Sequence, residues 1–163
     1  MLLGYTLWGG TSWINRWRIE RRLAYYDPLI RRQAGRTGLP RELIRAVICV
    51  ESSGDPGAVS AKSAFGLMQV RADAEADALH ILKIPRGNLF DPDYNLLIGS
   101  TYLRRLHTHF GGDLYLTLAA YHMGATGVHE VLNQHPGLAS DRIVAQHLNA
   151  ATRSYVLKVL AHL

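Results

Sequence analysis

Apolar residues recur at helical spacing along most of the chain. Leu43, Ile44, Val47, Ile48 and Val50 form one stripe. Pro40 and Glu42 suit the start of that helix, with proline near the first position and an acid in the first turn. Ser53-Gly54-Asp55-Pro56-Gly57 stops it near residue 52. A longer stripe of Leu96, Leu103, Leu106 and Phe110, with Tyr102 beside it, follows the capping pair Asp91-Pro92 and ends at Gly111-Gly112. Shorter helices are predicted over 114–123 and 127–133 and, after the break at Pro136-Gly137, over 141–148 and 151–163. Upstream, Pro28 is expected to open a helix that ends near Gly35. Residues 58–64, AVSAKSA, are small and rich in hydroxyls, which suits a lining more than a core. Residues 65–70 are apolar and ambiguous between helix and strand. The fold class read from this pattern is mainly α: a compact multi-helix domain with at most a small β hairpin near 58–70.

One position breaks the pattern. Glu51 lies three residues after Ile48, four after Val47 and seven after Ile44, so it carries a carboxylate on the apolar stripe. Burying an ionisable group there is expensive. Either an arginine pairs with it or its proton has a use.

Composition narrows the setting. A chain of 163 residues suits one domain with a real core, and 48% hydrophobic against 19% charged residues argues for a globular protein. No run of 18 apolar residues exists, so no bilayer-spanning helix is expected. Cys49 is the single cysteine, which excludes an internal disulfide and a cysteine metal cluster; it reads as a small buried hydrophobe. His107 and His109 are two apart on a helix and diverge, and the other histidines show no metal-ligand spacing. No phosphate loop, nucleophile elbow or dinucleotide fingerprint occurs, so neither metal nor cofactor is expected.

Charge is concentrated at the front. Residues 1–45 hold nine arginines against three acids, whereas residues 46–163 are nearly balanced. Such an end suits an anionic surface; the residues alone leave phospholipid, wall polymer and nucleic acid open, or solvated outer faces of the first helices. Residues 1–15, MLLGYTLWGGTSWIN, lack a positive n-region and a small-x-small cleavage site and make a poor signal peptide. With Trp8, Trp13 and Trp17 this stretch suits a membrane interface, a packing arm or the remnant of a longer precursor.

Five motifs in order then carry a resemblance. ESSGDPGAVS and SAFGLMQV, followed by DPDYNLLIGSTYLRRL, LAAYHMGATGV and ATRSYVLKVL, resemble the soluble lytic transglycosylase family over roughly residues 24–163. The resemblance implies a lysozyme-like fold of the α+β superfamily, close to the goose-type lysozymes. It divides the chain into a basic, aromatic arm over 1–23 and a catalytic domain over 24–163. It departs in two places: the proline usual after Gly-Leu-Met-Gln is missing from VRADAEA, and the Asn and Ala of the tyrosine motif are His122 and Met123.

Glu51 then has a purpose. A glycosidic oxygen leaves well only when protonated, while a free glutamate has a pKa of about 4.3. Burial against apolar groups raises it; a lysozyme glutamate in an apolar pocket is the standard worked example. Most glycosidases add a second carboxylate. The nearest, Asp55, sits in a Gly/Pro loop where a turn role is the better reading. The resembled family uses one glutamate, as acid and then as base, with help from the substrate's N-acetyl group, and closes a 1,6-anhydro ring on N-acetylmuramic acid. By the same resemblance Ser60 and Gln69 bind substrate near the cleavage point, and Tyr121 and Tyr155 face Glu51 from the other wall. Read without it, Ser60 is ordinary loop polarity and the two tyrosines are half-buried core. The expected partners are peptidoglycan glycan strands and, for the arm, an anionic membrane or wall surface; no nucleic acid is expected. The expected location is the periplasm or cell envelope. Two alternatives stand beside this reading: a goose-type hydrolase, and a non-catalytic wall-binding or assembly protein on the same fold.

Overall fold

The computed structural model describes the backbone of residues 7–163 and the side chains from Arg16 onward. Trp8, Trp13 and the rest of the 1–15 stretch, as side chains, lie outside the described residues, so the readings placed on them are not addressed. Eight helices follow one another among the described residues: α1 (Leu7–Thr37), α2 (Arg41–Ser52), α3 (Ala72–Leu82), α4 (Pro92–His109), α5 (Leu114–Met123), α6 (Ala125–Gln134), α7 (Ser140–Gln146) and α8 (Ala150–Leu160). Between α2 and α3 the chain makes two isolated antiparallel bridges, Val59 with Phe65 and Phe65 with Val70. They are the small β element anticipated for 58–70.

Helix ends follow local chemistry. The Asp91 carboxylate accepts from the Tyr94 amide at 2.9 Å, with Pro92 at the first position of α4. Asp113 and Asn149 cap α5 and α8 in the same way, each at 2.9 Å. Such caps are each worth about 1 kcal/mol. α2 ends where Ser53 turns left-handed at φ 54° and its amide caps the Cys49 carbonyl.

Most of one long helix is turned inward. α4 buries Leu96, Ile98, Leu103 and Leu106 completely and packs against α1, α3 and α5. α5 packs in turn on α6, α7 and α8, and α8 closes on α2. α2 contributes Leu43, Ile44, Ala46, Val47 and Ile48 to the core. Each fully buried Leu or Ile contributes about 1.5–3 kcal/mol. The outcome is that the end of α2, where Glu51 sits, is pinned between α8 and the 58–70 loop.

The readings of Pro28 and Cys49 are corrected. Pro28 does not open a helix; it lies inside α1. A proline in a helix interior loses a hydrogen bond and costs about 3 kcal/mol. Its ring is exposed, while Leu23, Tyr26, Ile30 and Gln33 form a buried stripe that continues across it. Burial on both sides outweighs the break. The boundary placed between residues 23 and 24 accordingly falls within α1. Leu23 is fully buried, Glu20 pairs with Arg45, and Arg22 backs onto Gly54. Cys49, expected to be buried, is half-buried, its Sγ 3.6 Å from His162 Nε2.

α3 had no counterpart in the sequence reading. Its buried residues are Ala74, Glu75 and Ala78, too small or too polar to register as an apolar stripe. The buried Glu75 is compensated by the Tyr94 hydroxyl at 2.8 Å and by Arg86 at 3.0 Å.

Candidate active site

The wall of the site is a loop held in an unusual backbone shape. Gly66 has φ 71° and Gln69 φ 48°, while Leu67 and Met68 between them are fully buried. A glycine accepts φ near +70° without strain; a glutamine does so only when its surroundings enforce it. The enforcement comes from Asn95, fully buried on α4. Its Oδ1 accepts from the Met68 amide at 2.8 Å, and its Nδ2 donates to the Phe65 and Leu89 carbonyls, each at 2.8 Å. One turn on, Gly99 leaves room for Met68: a Cβ there would stand 2.7 Å from the methionine Sδ. The Asn-x-x-x-Gly pattern of α4 is therefore a seat for the Gly66–Gln69 loop.

Functional groups converge on this loop from four directions. Gln69 Nε2 donates to the Ala58 carbonyl at 3.1 Å and the Gly66 carbonyl at 3.0 Å, which leaves its Oε1 as the available acceptor. Ser60 Oγ accepts from the amides of Lys62 at 3.2 Å and Ala64 at 3.1 Å, so its own hydrogen is available to donate. Ser52 Oγ donates to the Leu67 carbonyl at 2.8 Å and ties the end of α2 to the loop. From α5 the Tyr121 hydroxyl donates to the Met68 carbonyl at 2.8 Å.

Glu51, Ser60, Gln69 and Tyr121 line one cavity of about 320 Å3, together with Lys62, Arg71 and His122. A second cavity of about 250 Å3 shares Gln69, Arg71 and Tyr121 with the first, so the two form one groove. Tyr155 lies behind the wall, not on it: it is buried on α8, with its hydroxyl toward the Glu51 carboxyl but not aligned as a well-formed hydrogen bond. Asp55 is spent on its turn, accepting from the Gly57 amide at 3.0 Å. Among the described residues Glu51 is the one carboxylate on the 320 Å3 cavity; Asp73 lines the other and stands 3.8 Å from Arg71. A larger cleft of about 790 Å3, bounded by Arg36, Ile81, Leu97 and Arg104, lies away from all of these groups.

Burial raises the Glu51 carboxyl from its ordinary 4.5 to about 7, and the Tyr155 hydroxyl holds it from rising further. Tyr121 and Tyr155 are pushed well above 10, first by burial and then by the Glu51 charge, so both stay protonated. The site therefore holds a carboxylic acid near neutral pH, flanked by neutral donors, in a polar groove. Sequence reasoning had flagged His122 as a departure near the groove that bears on sugar contacts, and had not reached Lys62, Arg71 or the anchoring function of Asn95. Asn95 did leave a signal: an amide on the inward face of an apolar helix.

The profile of the "Transglycosylase SLT domain" family matches residues 28–144, which spans Glu51, the Gly66–Gln69 loop, Asn95 and Tyr121. The chain belongs to the SLT transglycosylase family. Within the family it is similar to "Membrane-bound lytic murein transglycosylase C" of Photorhabdus laumondii, 29% identical over 95% of this chain and 50% of that protein. The protein of the same name from Yersinia pestis is 32% identical over 86% of this chain and 46% of its own length. The chain thus spans about half the length of these curated relatives. Among solved structures, an inactive Glu-to-Gln mutant of lytic transglycosylase Slt from Pseudomonas aeruginosa superposes with a TM-score of 0.77 at 30% identity, over 83% of this chain and 22% of that one. The 70-kDa soluble lytic transglycosylase of Escherichia coli gives 0.78 at 29%, over 84% and 23%. Its complex with bulgecin A gives 0.79. The lysozyme-like, nearly all-helical fold of the SLT family is the fold of this chain.

Proposed function

We propose that this chain is a peptidoglycan lytic transglycosylase that cuts the β-1,4 bond between N-acetylmuramic acid and N-acetylglucosamine without water. The observation that carries the reading is Glu51: a carboxyl held protonated to about pH 7 on a cavity whose other lining groups, among the described residues, are neutral or cationic. The names of the relatives and the Glu-to-Gln inactive mutant among the structural neighbours support it. Glu51 gives its proton to the glycosidic oxygen as the bond to C1 breaks. The substrate's N-acetyl oxygen supports the positive C1. Glu51, now ionised, takes the proton of the C6 hydroxyl, and O6 closes on C1. Ser60 and the free Oε1 of Gln69 hold the sugar, Tyr121 keeps the wall in shape, and Tyr155 steadies the charged form of Glu51 between the two steps.

Products distinguish this from hydrolysis. Mass spectrometry of muropeptides released from purified sacculi is expected to show 1,6-anhydro ends, about 18 Da lighter than the reducing ends of a hydrolase, because ring closure replaces addition of water. Reducing ends would move the assignment to a goose-type hydrolase. No release at any pH would leave the non-catalytic wall-binding reading.

The arm has its own role in this proposal. Trp17 and Tyr25 are exposed beside Arg18, Arg21 and Arg22, and the Arg21 guanidinium sits 5.3 Å over the Trp17 ring. Basic and aromatic groups mixed on an exposed helix face suit an anionic envelope surface. Sedimentation with anionic vesicles is expected to weaken with salt, since screening shortens to about 3 Å at 1 M. Reversing Arg16, Arg18, Arg21 and Arg22 to glutamate should release the protein at low salt. Salt-independent binding would assign attachment to the aromatic rings instead.

A further inference from the structure

His122 lines the same cavity as Glu51, yet the proposed reaction gives it no task. It lies one residue beyond Tyr121 near the end of α5. Its ring is fixed from two sides. Nδ1 lies 3.1 Å from Thr152 Oγ1, and the ring stacks on Tyr155 with centroids 4.7 Å apart and 26° between planes. Both partners belong to α8, so the contact spans two helices.

Thr152 decides which ring nitrogen carries the hydrogen. It is fully buried, and among the described residues its hydroxyl meets no partner other than His122 Nδ1. A buried hydroxyl hydrogen without an acceptor is costly. Thr152 therefore donates and Nδ1 accepts. In a neutral imidazole the hydrogen must then be on Nε2, on the edge of the ring remote from Thr152. An oriented N–H donor beside the proton-donating carboxyl is a means of gripping a substrate oxygen.

We propose that His122 is a substrate-binding residue whose Nε2–H donates to an oxygen of the glycan seated beside Glu51, with Thr152 fixing the tautomer that makes this possible. The inference rests on the glycan-cleaving reading of Glu51 and adds to it an oriented donor from α5.

The charged and titratable groups around the ring favour its neutral form. Lys62 and Arg71 reach the cavity from the 58–71 segment, Glu51 from the end of α2 and Tyr121 from α5, while Tyr155 backs the ring from α8. Burial, and then the Lys62 charge, hold His122 below its ordinary 6.5. Protonation would put a hydrogen on Nδ1 and strand the buried Thr152 hydroxyl. Lower pH should therefore break the lock that aims Nε2, while leaving Glu51 in its acid form.

The rate of muropeptide release from sacculi as a function of pH tests this in wild type and three variants. Wild type should show a bell: an alkaline limb near 7 from Glu51 and an acid limb below 6.5 from His122. His122→Asn, which keeps a donor that does not titrate, should keep the alkaline limb and lose the acid one. His122→Phe keeps the stack on Tyr155 without a donor and should lose about tenfold in kcat/KM, the scale of one hydrogen bond. Thr152→Val keeps the shape and releases the tautomer, with a loss between those of wild type and His122→Phe. Thermal melting of each variant controls for folding, and should one fail to fold the other two decide. An unchanged acid limb in His122→Asn, or unchanged kcat/KM in a folded His122→Phe, would overturn the proposal. Neither result touches the role of Glu51, which stands or falls on Glu51→Gln assayed in parallel.

Discussion

Glu51→Gln is expected to lower the release of muropeptides from sacculi by at least about a hundredfold, with the fold intact. A glutamine fills the same space beside Tyr155 but has no proton to give to the leaving oxygen and no carboxylate to recover one. General acid and general base steps are each worth about 10²–10⁴-fold, and here one side chain supplies both. The same substitution should leave a mark on stability. The folded protein binds the Glu51 proton more tightly than the unfolded chain, since the carboxyl rises from 4.5 to about 7 on burial. Stability is therefore fully retained below about pH 4.5, falls as pH rises toward 7, and is flat above that. The loss amounts to about 3 kcal/mol at most, at roughly 1.4 kcal/mol per unit. Glu51→Gln removes that loss. Its melting temperature should exceed wild type at pH 8 and converge with it near pH 4. Wild-type activity in Glu51→Gln would end the enzymatic reading of the site.

Asn95→Leu is expected to be the most damaging substitution outside the groove. It removes three hydrogen bonds and leaves the Met68 amide and the Leu89 carbonyl without their buried partner, while the Phe65 carbonyl keeps the Val70 amide. Each of the two orphans costs about 1–3 kcal/mol, so the sum is about 2–6 kcal/mol. For a chain of this size that lowers the melting temperature by about 5–20 °C. Gly66→Ala attacks the same joint from the other side: φ is 71°, and a Cβ would stand 2.5 Å from the Leu89 carbonyl oxygen and against the Asn95 amide. Thermal melting followed by circular dichroism measures both. A melting point within about 3 °C of wild type for Asn95→Leu would show that the loop holds its shape without the asparagine.

What the sequence disclosed follows from how each element is held. α2 and α4 were legible because large apolar side chains repeat at helical spacing and Pro40, Asp91 and Pro92 mark their starts. α3 was not, because its inward face is made of alanines and one compensated glutamate. The length of α1 was hidden by Pro28, whose local penalty is overridden by tertiary burial that no window of sequence contains. Glu51 stood out because a carboxylate on an apolar stripe is costly without a use. Ser60, Gln69 and Tyr121 were named through resemblance, and the structure places them with Glu51 on one cavity. Thr152 and Lys62 escaped notice since they meet His122 and the groove only after α8 and the 58–70 loop fold against α5. No spacing along the chain announces such a meeting.

The left-handed Gln69 has a consequence for drug resistance. Its side-chain amide is tied to the Ala58 and Gly66 carbonyls, and the loop that carries it is seated on core groups: Asn95, Met68 and Gly99. An inhibitor that grips the Gln69 amide oxygen would hold on to a surface the protein cannot remodel independently of its interior. Substitutions that evade such a compound by moving this wall would also loosen the packing beneath it, and escape would carry a folding defect from the first mutation onward.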